Sequence, residues 1–357
     1  MAVSLLKVEH LSAVLGPEDA VVTVVDDVSW ELHEGEVLGI VGESGSGKSL
    51  SVLSLLGLLP PSVRIGGGQV LYDGRDLVAL SESELRGVRG REIAMIFQDP
   101  MTSFNPVRTI GSQIAEAMRI HDSSLGRRAA RARAVELLTL VGVPNAAMRC
   151  RQYPSEFSGG MRQRAMLAMA MANEPRILIA DEPTTALDVT TQAQVLDLLR
   201  SLQQRSSAAI IFISHDLEVV AEICDRVLVM YAGRIVESGA TRAVLERPAH
   251  PYTRALLSAR PRLDGQRGAR LQAIGGQPPN LAELSTGCAF CERCARGRNE
   301  RVCRSERPGL EPIAEEREAA CHFAAEQMRD EATRKQETSG GDQRAEDGAR
   351  GAAGVRR

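Results

Sequence analysis

Short runs of apolar, mostly β-branched residues recur along the chain, with helical patterns between them. Five of these runs are VLGIV (37 to 41), IAMIF (93 to 97), ILIA (177 to 180), AIIFIS (209 to 214) and RVLVMY (226 to 231). Continuous apolar runs of this length are typical of strands that are buried on both faces. Strands that alternate with helices are typical of βαβ units. The pattern therefore predicts an α/β fold with a parallel sheet that is covered by helices.

Three flanking stretches alternate apolar and polar positions instead. They are LLKVEHLSAV (5 to 14), VVDDVSWEL (24 to 32) and GGQVLYDGRDL (67 to 77). Alternation with a period of two predicts strands that have one face in water, so we expect a small antiparallel β-subdomain beside the main sheet. The pattern is mostly helical between Pro100 and Pro154, which predicts an inserted helical subdomain at about residues 100–160.

Composition divides the rest of the chain. Proline, arginine and cysteine become frequent after about residue 245. We therefore predict a first domain at 1–245 and an extension at 246–325. Residues 326–357 are dense in charge and glycine and contain no aromatic residue. Such a segment buries too little apolar surface to become ordered, so it is predicted to be a disordered tail.

Charge and targeting signals exclude several classes of protein. The net charge of −3 gives no support to a nucleic-acid partner. The N-terminal sequence MAVSLLKVEH lacks the features of a secretory signal. The longest apolar run ends at a proline pair, well short of the ~20 residues needed to span a bilayer. We therefore expect a cytoplasmic protein that reaches a membrane only through a partner.

A glycine-rich loop directly follows the first buried run and precedes a helical pattern. GESGSGKS fits G-x-x-x-x-G-K-S, in which glycines let backbone N–H groups surround phosphate oxygens. Lys48 is expected to bridge the β- and γ-phosphates of a nucleotide, and Ser49 to bind Mg²⁺. The predicted phosphate-binding residues are Gly42, Glu43, Ser44, Gly45, Ser46, Gly47, Lys48 and Ser49.

Polar side chains follow three other predicted strands. Asp181 and Glu182 come after ILIA, His215 comes after AIIFIS, and Gln98 closes IAMIFQ. Ligands of open α/β sheets bind at this carboxyl edge. We predict that Asp181 binds the Mg²⁺ shell and that Glu182 polarises the attacking water. His215 is predicted to contact the γ-phosphate, and Gln98 to bind Mg²⁺ or water.

The stretch FSGGMRQRAMLAMAMANEPRILIADEPTTALDV, residues 157 to 189, resembles the signature motif, Walker B strand and D-loop of ATP-binding-cassette (ABC) ATPases. The phosphate loop, Gln98 and His215 match in order, so the resemblance covers residues 1–245. It implies that two subunits dock head to tail, each covering the ATP of the other with Ser158, Gly159 and Gly160. Asp188 belongs to the D-loop. The family stacks adenine on an aromatic residue, and the best counterpart here is Leu15.

Further motifs narrow the resemblance. QDPMTSFNP, HPYTRALL and AIGGQPPNLAELSTGCAF are similar to ATPase subunits of dipeptide and oligopeptide importers, and Met161 matches one of two paralogues. The implied partners are the paralogous ATPase subunit, two transmembrane permeases and, indirectly, a substrate-binding protein. The implied location is the cytoplasmic face of the inner membrane. Nickel complexes, glutathione and oligosaccharides are alternative cargoes. A soluble ABC ATPase acting on DNA or the ribosome is a second hypothesis, but such proteins usually carry insertions or two cassettes that this sequence lacks.

Five of the seven cysteines lie between residues 288 and 321. Thiols in a reducing compartment favour metal ligation over disulfides. Cys288, Cys291 and Cys294 form C-x-x-C-x-x-C, with Cys303 as a possible fourth ligand. The resemblance instead implies Cys288, Cys294, Cys303 and Cys321, which hold an iron–sulfur cluster in some members. We favour this second set and a [4Fe–4S] cluster that ties the core-poor extension together. A four-cysteine zinc site and unligated thiols are the alternatives.

Overall fold

The structure is a computed structural model that describes residues 4–17, 20–98, 103–185, 187–259 and 274–329. Two compact units divide the chain, one formed by residues 1–234 and the other by residues from 235 onward. Two predicted segments lie partly outside the described residues: the extension at 246–325 and the disordered tail at 326–357. Residues 324–329 are helical and Gln327 is buried, so order extends past residue 326, where the tail was predicted to begin.

The first unit contains nine strands and eight α-helices among its described residues. The strands are β1 (Ser4–Leu15), β2 (Val22–His33), β3 (Val37–Val41), β4 (Val63–Tyr72), β5 (Arg75–Asp76), β6 (Ile93–Ile96), β7 (Ile177–Asp181), β8 (Ala209–Ser214) and β9 (Arg226–Tyr231). The α-helices are α1 (Lys48–Leu55), α2 (Glu82–Val88), α3 (Ile110–His121), α4 (Arg127–Leu140), α5 (Ala146–Arg149), α6 (Gly159–Ala170), α7 (Val189–Ser206) and α8 (Leu217–Ile223).

A parallel sheet forms the centre of this unit. Its strands lie in the order β9-β3-β8-β7-β6, and all adjacent pairs run parallel. Every residue of β3, β7 and β8 is buried, as the continuous apolar runs predict. Because β3 lies between β8 and β9, the loop that follows β3 is flanked on both sides by neighbouring strands of the sheet. The loop at 42–49 therefore faces the ends of neighbouring strands.

The three alternating stretches form a separate antiparallel sheet with the order β2-β1-β4-β5, which confirms the predicted β-subdomain. Helices α3, α4 and α5 follow β6, where the sequence predicts a helical insertion. Helix α4 buries Ala130, Ala134, Leu137 and Leu138 and exposes most of its arginines, as expected of an amphipathic surface helix. None of the helices among the described residues is both long and apolar enough to cross a membrane.

The second unit contains three strands that the sequence analysis did not predict. Strands β10 (Arg234–Ala240), β11 (Glu311–Ala314) and β12 (Arg317–Ala319) lie in the order β11-β12-β10, and both pairs are antiparallel. Its helices are α9 (Thr241–Glu246), α10 (Pro251–Ser258) and α11 (Arg301–Ser305). The strands are short and Pro312 interrupts the alternation, so no recognisable pattern marks them in the sequence.

A buried ion pair joins distant parts of this second unit. Glu237 is 0% exposed and accepts hydrogen bonds from the backbone N–H groups of Ala249 and His250, at 2.8 and 2.9 Å. Arg317 Nη2 donates to Glu237 Oε1 at 2.7 Å and also contacts the Arg247 carbonyl oxygen. Several donors thus satisfy a carboxylate that is removed from water. These contacts join the segment 237–250 to the segment around residue 317.

Candidate active site

The phosphate loop joins β3 to α1. Gly47 has a φ of 99° and is the N-cap of α1, in the left-handed region that favours glycine. A Cβ atom at Gly47 would lie 2.9 Å from the Val24 carbonyl oxygen, so that space is already filled by backbone. Gly45 is also left-handed, at 78°, but no atom lies within 4 Å of its Cβ position. The loop is therefore packed on one side and open on the other, as an anion cradle requires.

The Lys48 side chain folds back over this loop. Its Nζ donates to the carbonyl oxygens of Gly42 and Glu43 at 2.8 and 3.0 Å. Burial lowers the pKa of Lys48, and the nearby carboxylates of Glu182, Asp181 and Glu43 oppose that shift. A partly desolvated ammonium group is thus held at the loop by weak neutral acceptors. Phosphate oxygens would be stronger acceptors for it.

Ser49 and Asp181 meet across the sheet edge. Ser49 Oγ, from the start of α1, donates to Asp181 Oδ1, at the end of β7, at 3.1 Å. Burial raises the pKa of Asp181, and Ser49 and Lys48 counteract this. Oxygen ligands of this kind suit Mg²⁺, so the predicted pair of magnesium ligands fits this ion by chemistry and proximity.

The side chains of Gln98 and His215 converge on Glu182. Gln98 Nε2 donates to Glu182 Oε2 at 3.0 Å, and His215 Nδ1 lies 3.4 Å from Glu182 Oε1. These side chains follow β6, β7 and β8, which are neighbours in the sheet. Gln98 and His215, which lie 84 and 33 positions away from Glu182 in the sequence, therefore form one polar group with it at the carboxyl edge. An amide, a carboxylate and an imidazole in this arrangement can orient and deprotonate a water molecule.

The predicted signature turn forms the start of α6. Ser158 is the N-cap and its hydroxyl accepts a hydrogen bond from the Met161 N–H at 3.3 Å. Ser158 and Gly159 are exposed, and a Cβ atom at Gly160 would lie 2.7 Å from Thr191 Cγ2. Asp188 caps α7 by accepting from the Thr191 N–H at 2.9 Å. The two helix starts therefore pack together, and the serine–glycine turn is left open to a ligand or partner.

Leu15, the expected counterpart of an adenine-stacking residue, is the last residue of β1. It is 37% exposed and pairs with Val22 and Val63. Its exposed apolar side chain gives an adenine ring a surface to contact, without the aromatic face that the family uses. A base-binding role for Leu15 stays a prediction.

A groove of about 410 Å³ lies beside β6 and helices α2, α3 and α6. Two of its apolar side chains are largely exposed, Phe97 by 45% and Ile120 by 70%. Arg86 and Arg89 supply positive charge at the wall formed by α2. The sequence analysis did not identify this groove, because its walls come from four separate segments.

The five clustered cysteines line one cavity in the second unit. Cys291 Sγ donates to the Gly297 carbonyl oxygen at 3.3 Å, and the Gly297 N–H donates to Cys294 Sγ at 3.2 Å. Burial raises the pKa of Cys288 to about 12 and that of Cys321 to about 11. No group of three or more His, Cys, Asp or Glu side chains within the described ranges has an arrangement that could hold a metal ion. The cavity-lining cysteines are Cys288, Cys291, Cys294, Cys303 and Cys321.

Comparison with known families agrees with this geometry. The profile of the family described as "ABC transporter" matches residues 25–185. The profile described as "Oligopeptide/dipeptide transporter, C-terminal region" matches residues 236–303. The first match contains the phosphate loop, the signature turn and the Walker B strand. The second contains four of the five clustered cysteines.

Individual relatives cover most of the chain. A probable peptide ABC transporter ATP-binding protein of Sinorhizobium fredii, y4tR, is 51% identical over 89% of this chain and 94% of the relative. The chain belongs to the ATP-binding proteins of dipeptide and oligopeptide ABC transporters. The dipeptide transport ATP-binding protein DppD of Escherichia coli is 46% identical over 90% of the chain and 97% of its own length.

A solved structure supports the ABC fold and the ATPase activity of this ABC protein. The dimeric post-hydrolysis state of the ATP-binding cassette MJ0796, bound to ADP and Pi, matches with a TM-score of 0.60 and 25% identity. The match covers 66% of this chain and 99% of MJ0796. The predicted P-loop ATPase fold is thereby confirmed, and the chain is an ABC-type ATPase. The metal-tied extension is not shown by any of these comparisons.

Proposed function

We propose that this ABC protein hydrolyses ATP to power the import of dipeptides or oligopeptides across a membrane. The observation that carries the proposal is the convergence of Gln98 and His215 on the Glu182 carboxylate, beside the Lys48 and Ser49 loop. The cargo follows from the relatives, whose names specify peptide, dipeptide and oligopeptide transport. Nickel complexes, glutathione and oligosaccharides stay alternative cargoes within the same mechanism.

The proposed roles follow from the positions of the side chains. Lys48 neutralises the β- and γ-phosphates, and the N–H groups of residues 42–49 surround them. Ser49, Asp181 and Gln98 would hold Mg²⁺, which would draw charge from the phosphate oxygens. Glu182 accepts the proton of the attacking water, and His215 orients the γ-phosphate. Each of these groups is supplied by the end of a strand or by the loop that follows it, so the sheet sets their spacing.

We propose that the second half of each nucleotide site comes from a paralogous ATPase subunit. Ser158, Gly159 and Gly160 are directed to that partner's nucleotide, with Asp188 and Val189 at the same interface. Val189 is 85% exposed at the start of α7, beside the exposed serine–glycine turn. An apolar side chain left so exposed suits burial by a partner. ATP would then close the interface, and hydrolysis would open it.

The two permeases are proposed to dock in the groove beside β6. A short amphipathic helix of a permease fits its chemistry, because Phe97 and Ile120 supply apolar contact and Arg86 and Arg89 supply positive charge. The chain would then lie peripherally on the cytoplasmic face of the inner membrane, as the Met161 paralogue of the ATPase pair. A substrate-binding protein would act through the permeases alone.

Co-purification tests the docking proposal. Ile120→Glu should reduce recovery of the permeases with the tagged ATPase by at least about tenfold, because it buries a charge in the apolar contact. Leu140→Glu, on the exposed face of α4 and outside the groove, is the matched control. Recovery of two multi-spanning permeases with the control but not with Ile120→Glu supports the proposal. Equal recovery in both variants contradicts the groove, and the absence of any permease with wild type contradicts the transport function.

We further propose that the extension binds a [4Fe–4S] cluster through Cys288, Cys294, Cys303 and Cys321, with zinc as the alternative. All four line the same cavity, whereas the Cys291 thiol already donates to the Gly297 carbonyl oxygen. Because the present arrangement is not that of a metal site, binding requires the thiol side chains to reorient. The role proposed for the cluster is structural: it would link the separate short elements that carry the four cysteines.

Metal analysis and visible absorption of protein purified without oxygen distinguish the candidates. Iron and sulfide with broad visible absorption indicate the cluster, and a single zinc without absorption indicates the alternative. Cys321→Ser should lose the metal, whereas Cys291→Ser, the matched control, should retain it. The reverse result would favour the C-x-x-C-x-x-C set. Metal-free wild-type protein with five titratable thiols would overturn the proposal.

A further inference from the structure

Glu182 has a third partner that neither the strand ends nor the known motif roles explain. Thr185 Oγ1 donates to Glu182 Oε2 at 2.9 Å, on the same oxygen that accepts from Gln98 Nε2 at 3.0 Å. The other oxygen, Oε1, lies 3.4 Å from His215 Nδ1. The two carboxylate oxygens are therefore not equivalent: one is held by two donors, and the other faces the imidazole.

The backbone brings the Thr185 hydroxyl to this point. Glu182 has a φ of 47°, in the left-handed region, which turns the chain sharply as it leaves β7. The Thr185 N–H then donates to the Glu182 carbonyl oxygen at 3.2 Å and closes a turn. The turn holds the side chains of Glu182 and Thr185 close together, so their hydrogen bond depends on the conformation of this short segment. A non-glycine residue in this conformation is itself a feature of constrained functional sites.

We propose that Thr185 is a positioning residue for ATP hydrolysis, which orients the Glu182 carboxylate through its hydroxyl. This inference rests on the proposed role of Glu182. With Oε2 occupied by Thr185 and Gln98, the carboxylate cannot rotate freely, and Oε1 is the oxygen that accepts the proton from water. Orientation of the general base contributes to the rate because proton transfer requires hydrogen-bond distance in the transition state.

The position of Thr185 also connects the carboxylate to the subunit interface proposed above. Asp188, which caps α7, lies three residues after Thr185 in the sequence. The Leu187 N–H donates to the carbonyl oxygen of Thr184 at 3.3 Å, and Thr184 is itself part of the turn at 182–185. A partner that contacts Asp188 would therefore act on the same short segment that holds Glu182.

Steady-state ATPase kinetics of the assembled transporter test the inference. Thr185→Val removes the hydroxyl and keeps the shape, and it should lower kcat about tenfold, the effect of one hydrogen bond to a charged group. KM for MgATP should stay within about twofold, since the Thr185 hydroxyl donates to Glu182 and not to a residue of the phosphate loop. Thr185→Ser keeps the donor and should retain kcat within about threefold. Thr139→Val, on the exposed surface of α4, is the control for loss of a threonine hydroxyl.

The possible outcomes distinguish a positioning role of the Thr185 hydroxyl from a role of the side chain in packing alone. Equal losses in Thr185→Val and Thr185→Ser, or a rise in KM that accounts for the loss, would show that packing and not the hydroxyl matters. A wild-type kcat in Thr185→Val would overturn the inference. If Thr185→Val does not fold, the comparison of Thr185→Ala with Thr185→Ser gives the same answer. Glu182→Gln, assayed in parallel, must abolish hydrolysis; if it does not, the proposed function itself fails, whatever Thr185 does.

Discussion

The nucleotide site and the cysteine cavity bring reactive side chains together in different ways. Gln98, Glu182 and His215 follow the ends of separate strands and meet only because β6, β7 and β8 are neighbours in one sheet. The five clustered cysteines lie between residues 288 and 321, on short elements such as the turn Cys291–Arg293 and helix α11. Pairing between strands that are distant in sequence positions the residues of the nucleotide site. Short local elements position most of the cysteines in the cavity.

The electrostatic state of the two regions differs as well. The nucleotide site contains charges of both signs, and Lys48 and Asp181 each have a hydrogen-bond partner. In the cysteine cavity, burial raises the pKa of Cys288 to about 12, so this thiol is neutral near pH 7. Thiolates are the metal-binding form. The first region is thus prepared for phosphate and Mg²⁺ before they arrive, whereas the second needs a cation to stabilise its ionised form.

The strongest test of the prepared site is Glu182→Gln. We expect ATP hydrolysis to fall by roughly 10²–10⁴-fold, the usual contribution of a general base, while ATP binding persists. ATPase assays and nucleotide binding measured on the same preparation check this. Hydrolysis close to the wild-type rate would show that Glu182 is not the general base.

The ion pair of the second unit gives the next effect. Arg317→Met leaves the Glu237 carboxylate buried without its charged partner and should reduce the free energy of unfolding by about 3–5 kcal/mol. Denaturant unfolding followed by a probe in the second unit measures this loss. Arg242→Met removes the exposed partner of Glu246 and is the control, with no measurable change expected. Equal effects of the two variants would contradict the ion pair as the main support of this unit.

The pH dependence of stability tests burial in the same unit. Burial is the main cause that lowers the pKa of His250 from 6.5 to about 3. Between these values the unfolded chain binds a proton that the folded chain does not. The free energy of unfolding should therefore fall by about 1.4 kcal/mol for each pH unit below about 6.5.

His250→Asn isolates this contribution. Asparagine can still cap α10, as His250 Nδ1 does by accepting from the Tyr252 N–H at 3.0 Å. The difference in slope between wild type and variant, from denaturant unfolding at several pH values, gives the part due to His250. Parallel slopes would mean that His250 is solvated and that this unit is packed more loosely than the structure shows.

The smallest predicted effect compares two glycines of the phosphate loop. Gly47→Ala and Gly45→Ala both place a side chain in the left-handed region, but only Gly47 has backbone within 2.9 Å of the new Cβ. ATP affinity should fall about tenfold more in Gly47→Ala, because the loop must shift to relieve the contact. Calorimetric titration with ATP measures the ratio. Equal losses of ATP affinity would show that the left-handed backbone conformation, and not the contact with Val24, makes glycine necessary at position 47.

Much of the first unit could be predicted from the sequence. The runs 37–41, 209–214 and 226–231 are the strands β3, β8 and β9 with the same bounds, because a strand buried on both faces must be apolar throughout. The phosphate loop and the acids after β7 were recognisable because their chemistry is local in sequence. In the second unit the strands β10, β11 and β12 were missed, since each is short and none has a clean alternating pattern.

The sequence by itself determined the α/β class, the family, and the residues predicted to bind phosphate, Mg²⁺ and water. Those properties depend on residue types at short spacings, which the chain carries before it folds. Only the tertiary structure decided that Gln98 and Thr185 share one oxygen of Glu182 and that Glu237 pairs with Arg317, 80 residues away. Partners of a buried polar group are chosen by strand order and packing, because a desolvated charge takes whichever donors the fold brings within reach.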